Sequence, residues 1–139
     1  MKQHLHTLSI ATHGRGFTDV TPELARWLKT VGAVDGLLTV FIRHTSASLL
    51  VQENADPTVR EDLERFFSRL VPDGDGIFEH NDEGPDDMPS HVRSALTQTS
   101  LAIPVREGRL HLGTWQSLYV WEHRHAPHRR ELSLHYLGA

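Results

Sequence analysis

Cysteine is absent from the 139 residues. That excludes a disulfide framework and a thiolate zinc site, so any transition metal would have to rest on imidazole and carboxylate. Long apolar runs are absent too: none approaches the ~18 residues that span a bilayer. The opening Met1-Lys2-Gln3-His4 lacks the apolar stretch of a secretory signal. No internal repeat or low-complexity tract is present. An excess of positive charge is also missing. Lys and Arg number 14 against 18 Asp and Glu, a net charge of -4, which provides no global attraction to nucleic acid or to anionic lipid. Together these absences predict a cytoplasmic protein with neither a nucleic-acid nor a membrane partner. Hydrophobic residues, at 38%, suffice for one core and one domain over residues 1–139.

Histidine, by contrast, is abundant, at eleven. His123, His125 and His128 fall in a polar stretch and are expected at the surface. The apolar residues are ordered by period. Residues 3–12 alternate as a strand, and Gly14-Arg15-Gly16 reads as a turn. Thr21-Pro22 opens a helix whose stripe is Leu24, Trp27, Leu28 and Val31, with Gly32 as its stop. Gly36 to Arg43 is a nearly continuous apolar run, as expected of a strand buried on both faces. Leu49-Leu50-Val51 begins another strand. Asp56-Pro57 caps a second helix with Val59, Leu63, Phe66, Phe67 and Leu70 inward, closed by Pro72-Asp73-Gly74. A short helix is predicted from Pro89 to Thr97. Strands follow at 101–105, 109–112, 118–122 and 131–136, the first two joined by a Glu107-Gly108 hairpin turn. The sum is an α+β fold: antiparallel strands in one or two sheets, sandwich-like, covered by two or three helices.

The chemistry-bearing residues gather in a few segments. Ile77 to His91 holds Glu79, His80, Asp82, Glu83, Asp86, Asp87 and His91 around Gly84, Pro85 and Pro89. So polar a stretch is not expected in a core, and loops of this length are often functional. His44, at a strand end, could meet His80 and His91 on one divalent cation, which favours imidazole and carboxylate ligands. The competing reading is a solvated acidic loop. His44-Thr45-Ser46 could hold a phosphate through hydroxyl and N–H donors, with Thr114, Arg124 and Arg129 adding more; an ordinary turn is the alternative. Trp115, in Gly113-Thr114-Trp115-Gln116, reads either as a pocket wall or, more simply, as core packing. Asp56 reads as a helix cap, and Glu53 as a pocket residue or an arginine partner.

His44-Thr45-Ser46-Ala47, Glu53-Asn54-Ala55-Asp56-Pro57, the His80–Gly84 loop, Asp86-Asp87-Met88-Pro89-Ser90-His91, Leu112-Gly113-Thr114-Trp115-Gln116 and Glu122-His123-Arg124 occur in this order. Over almost the whole chain this resembles the YjbQ family, UPF0047. The resemblance implies an α+β sandwich assembled as a homotrimer, with a pocket lined by the motif histidines. It further implies a metal-assisted enzyme on a small phosphorylated substrate. The activity ascribed to members is thiamine-phosphate synthesis, a transfer joining a pyrimidine pyrophosphate to a thiazole phosphate with release of pyrophosphate. By the same resemblance His44, His80 and His91 are metal-ligand candidates for zinc, or magnesium. Glu83, Asp86 and His44 become catalytic candidates, and Thr45, Ser46, Thr114, Trp115, Gln116 and Arg124 substrate contacts. Two positions depart from the family pattern: Asp87 stands where asparagine is frequent, and Ser117 where glycine is frequent. The alternatives at the same pocket are a phosphoester hydrolase and a non-catalytic small-anion sensor.

Overall fold

Strand periodicity decides the architecture. A computed structural model describes residues 1–139, with eight strands and three helices in the order β1 (Lys2–Thr12), β2 (Gly16–Asp19), α1 (Thr21–Thr30), β3 (Gly36–Ile42), β4 (Ala47–Glu53), α2 (Pro57–Leu70), α3 (Asp87–Leu96), β5 (Ser100–Arg106), β6 (Arg109–Leu110), β7 (Gln116–Glu122) and β8 (His128–Gly138). They form a five-stranded sheet, β1-β8-β3-β5-β6, and a three-stranded sheet, β2-β7-β4, antiparallel throughout. The fold is therefore α+β.

Alternate side chains of the larger sheet point into one core: Ile10, Leu38, Val40, Ile42, Ile103, Val105, Leu132, Leu134 and Tyr136. Leu49, Leu118 and Val120 meet them from the smaller sheet, and Leu24 and Leu28 from α1. The other face of β7 carries Tyr119 and Trp121. Phe17 stacks on Trp121 at 4.6 Å, and Phe67 of α2 meets the same ring edge-on at 4.8 Å. α2 thus covers the outside of the small sheet, while the outside of the large sheet is bare.

Several expectations change here. β3 is buried on one face only: Leu38, Val40 and Ile42 are inside, whereas Leu37 and Phe41 are exposed. The reason is that β3 belongs to an antiparallel sheet with no helix on its outer side. β2, read as part of a turn, is a strand paired with β7. α3 starts two residues before Pro89, which brings Asp87 into its first turn. Asp56 caps α2 as expected, its side chain accepting from the Thr58 N–H. Gly36 and Gly138 lie opposite one another in the β3–β8 ladder, so close that a Cβ on either would collide with its neighbour's backbone.

Candidate functional site

α3 supplies the centre. Asp87 and His91 are four residues apart on one helix and therefore share a face. Their Oδ1 and Nε2 atoms are 3.4 Å apart. His80 enters from the preceding loop, its Nε2 3.0 Å from Asp87 Oδ2. One ligand atom from each of His80, Asp87 and His91 lies within 4.8 Å of the other two. Asp87 is buried, His91 partly exposed and His80 open to solvent.

The orientation of His91 is fixed from behind. Its Nδ1 donates to the Thr45 carbonyl at 3.0 Å, which turns Nε2 toward the carboxylate. In the neutral ring that nitrogen presents a lone pair, and a cation, whether a proton or a metal ion, fits between it and the carboxylate oxygen. These three residues offer two imidazole nitrogens and a carboxylate oxygen, a set suited to zinc or another borderline divalent metal.

Arg124, just after β7, holds the acidic segment in place. Its Nε donates to Asp86 Oδ2 at 3.1 Å, Nη1 to Asp87 Oδ1 at 2.8 Å, and Nη2 to the Glu83 carbonyl at 2.8 Å. Asp86 also accepts from the His125 N–H at 2.9 Å. Burial alone would raise the Asp86 pKa, but the His125 and Arg124 hydrogen bonds outweigh it and hold this carboxyl below the usual range. Asp86 is thus kept ionised as an anchor, and Glu83 contributes its carbonyl. The guanidinium of Arg124 is engaged by the loop itself.

His44 is not brought into the set; Asp87 takes the third place. The His44 Nε2 accepts the Glu131 N–H at 2.8 Å, so its lone pair is already used. Burial and the nearby Arg130 lower its pKa. His44 does neighbour His91 across a hollow of about 230 Å³ shared with Thr45, Ser94, Ala95 and Thr99. On the other side, His80 edges a cavity of about 400 Å³ with Phe78, Pro85, Met88 and Pro89. The Ser46 Oγ accepts from Arg130 at 3.0 Å.

Thr114, Trp115 and Gln116 are not brought together with the histidines. Gln116 pairs with Glu53 at one end of the β4–β7 ladder, and Glu122 with Ala47 at the other. Six residues of strand put about 20 Å between those ends. Trp115 is neither core nor pocket wall here, at 63% exposed. Gln116 N donates to the Gly113 carbonyl, and Gly113 N to Gln116 Oε1, and that tight turn throws the indole outward.

Asp87 was legible in the sequence as a ligand through its four-residue spacing to His91, had the helix been started early enough. Glu122 and Arg130 carried no such signal. Glu122 is fully buried and accepts from Thr12, Arg124 N and Arg130. Desolvation pushes its pKa up, and the Arg130 and Thr12 hydrogen bonds more than reverse this. His123, expected at the surface, is completely buried, its Nε2 2.8 Å from Ser48 Oγ. It follows the last residue of β7 and packs in the interior next to Trp121.

Comparison with known proteins agrees with this architecture. Residues 6–139 match the family model described as UPF0047 protein YjbQ-like. A UPF0047 protein of Synechocystis is 50% identical over 137 residues, covering 99% of this chain and 93% of the relative. The UPF0047 protein YjbQ of Escherichia coli O157:H7 is 51% identical over 126 residues, covering 89% and 91%. Among solved structures, a YjbQ/UPF0047 protein from Clostridium acetobutylicum superposes with a TM-score of 0.86 at 30% identity, covering 95% of this chain and 99% of that one. A conserved protein from Thermus thermophilus gives 0.85 at 33% identity, with the same coverage. With residues 6–139 matched by the family model and half the residues identical to a relative over nearly its whole length, the chain belongs to the UPF0047 YjbQ-like family.

Proposed function

We propose that this protein is a metal-assisted enzyme acting on a small phosphorylated substrate, with the cation held by His80, Asp87 and His91. The observation that supports it most is the His91 geometry, in which the Nδ1–H bond to the Thr45 carbonyl turns Nε2 toward Asp87, within reach of a common ion with His80. Three protein ligands with an open position suit catalysis, and a divalent ion bound there would stabilise charge on a phosphate or pyrophosphate. The chain's own contribution is to fix that geometry. Arg124 braces Asp87 from one side, and its hydrogen bond makes the carboxylate a stiffer ligand. Within this class, the finer proposal is the thiamine-phosphate synthase reaction. In it a pyrimidine methylene carbon loses pyrophosphate and gains a bond to the thiazole nitrogen. Assembly as a homotrimer belongs to the same reading.

Metal content measured by mass spectrometry, on protein purified without a metal-affinity tag, tests the site. His80→Ala, Asp87→Asn and His91→Ala are each expected to reduce bound metal at least about tenfold, while His44→Ala retains it. Metal retained in all three would end the proposal. Phosphate released from a single substrate would replace the transferase reading with hydrolysis, whereas pyrophosphate released only when both substrates are present supports transfer.

A further inference from the structure

At the opposite end of β3 from His44 lies a second concavity. It is a groove of about 770 Å³ between the C-terminal half of α1 and the β5–β6 hairpin, with Ala25, Ala33, Leu110 and Leu112 as its apolar floor. Lys29 and Arg109 stand on its rim, opposed by Glu107. A smaller hollow of about 380 Å³ continues it around the hairpin and adds Arg106 and His111. Arg106 and Arg109 are paired directly across the two strands. Two like charges so placed are unfavourable. Lys29, Arg106 and Arg109 take part in none of the protein's ion pairs. Three permanent cations outside any ion pair, against Glu107 and the Asp35 carboxylate that accepts its N–H, leave this end of a chain of net charge -4 locally positive by one charge.

The walls are fixed in advance. Glu107 has a φ of 53°, a conformation a non-glycine residue rarely adopts. It is held there by Asp35, whose carboxylate accepts the Glu107 N–H at 2.8 Å. Gly108 N donates to the Val34 carbonyl at 2.7 Å, and a Cβ on Gly108 would lie 2.9 Å from the Ala33 carbonyl. The hairpin is therefore bolted to the α1–β3 connection. With φ also positive at Gly108, 77°, this is the two-residue turn that a tight hairpin requires, and a rigid pocket wall reduces the entropic cost of binding.

We infer that this groove binds a small organic anion, a phosphate monoester or carboxylate with a compact apolar body. The body sits on the Ala25–Leu112 floor and the anionic group faces Lys29, Arg109 and Arg106. This site is separate from the His80–Asp87–His91 centre and stands whether or not a metal binds there.

The test is a two-dimensional amide NMR titration of the whole protein with phenyl phosphate, beside phenol and inorganic phosphate. Shifts are expected at residues 25–33 and 106–112, with phenyl phosphate binding at least about tenfold more tightly than either fragment. Lys29→Ala/Arg109→Ala should weaken it by a further factor of about ten, and Arg109→Lys should restore part of the loss. Four outcomes would overturn the inference. They are shifts confined to residues 80–91, a double variant that binds unchanged, dilution shifts at 25–33 that reveal a second copy covering the groove, and co-sedimentation with phosphatidylglycerol vesicles in place of binding to the soluble ester.

Discussion

His123 shows how a single residue sets a property of the whole chain. Desolvation, reinforced by Arg93, Arg15 and Arg130, drives its pKa down from the ordinary 6.5 to about 2. In the unfolded chain the imidazole takes up a proton near pH 6.5; in the native state it stays neutral. Below pH 6.5 the unfolded state therefore binds more protons, and native stability falls as pH drops. The slope is about 1.4 kcal/mol per pH unit for one such group. His44 is shifted the same way and adds to it in part. Asp73, Asp86 and Glu122 are shifted down as carboxylates. Their stabilisation is essentially complete above pH ~5 and is lost progressively as pH falls below that. Urea unfolding between about pH 5 and 6.5 isolates the histidine contribution. His123→Gln is expected to remove roughly one proton's worth of slope, and an unchanged slope would contradict the assignment. The sequence pointed the other way on this residue, because neighbouring polar residues disguise a segment that stays buried just past the end of β7.

Among the helices, α2 is the least anchored. None of its residues is fully buried, and Phe66 and Leu70 are 60% and 54% exposed. It is held by Phe67 on Trp121, and by Glu64, which accepts from Arg93 and from the Trp121 Nε1–H at 2.7 Å each. β8, by contrast, is hydrogen-bonded on both sides, to β1 and to β3. Amide hydrogen exchange is therefore expected to be at least about 100-fold faster across Pro57–Leu70 than in the middle of β8. Equal protection would mean that α2 is covered by something outside the single chain. Which elements were legible follows the same physics. α1 announced itself by proline, stripe and Gly32 stop, although Val20 and not Thr21 is its cap residue; α2 announced itself by the Asp56 cap and proline, although Phe66 and Leu70 of its expected stripe are exposed; and the Glu107-Gly108 hairpin did so by its turn residues. β2 was hidden because four residues are too few for alternation to register. The start of α3 was hidden because two carboxylates look like loop until Arg124, far along the chain, is seen to neutralise them. The His80–His91 pairing could be guessed from composition. The exchange of His44 for Asp87 could not, because it depends on Glu131 N–H reaching the His44 ring from another strand.

For the molecule as a whole, the distribution of unburied apolar surface matters most. On the outer face of the large sheet, Leu5, Leu37, Phe41 and Leu137 are 72%, 42%, 46% and 42% exposed. Leu37 and Leu137 are direct cross-strand neighbours. Exposed apolar side chains gathered on one sheet face are the surface expected to carry the proposed self-association. Sedimentation should then report a species of three times the 15.7 kDa chain mass. Leu37→Glu/Phe41→Glu should shift it to one chain without loss of secondary structure. A native protein sedimenting as one chain at micromolar concentration would rule the proposal out. No helix is long and apolar enough to cross a membrane.

His91 is steered by a main-chain oxygen, not by a neighbour's side chain. Every amino acid carries that oxygen, so position 45 can drift through one exchange after another without freeing the ring. An insertion or deletion in the bend between β3 and β4 would release it at once. The pivot of the centre is thus indifferent to spelling and sensitive to spacing, whereas Asp87 is the reverse.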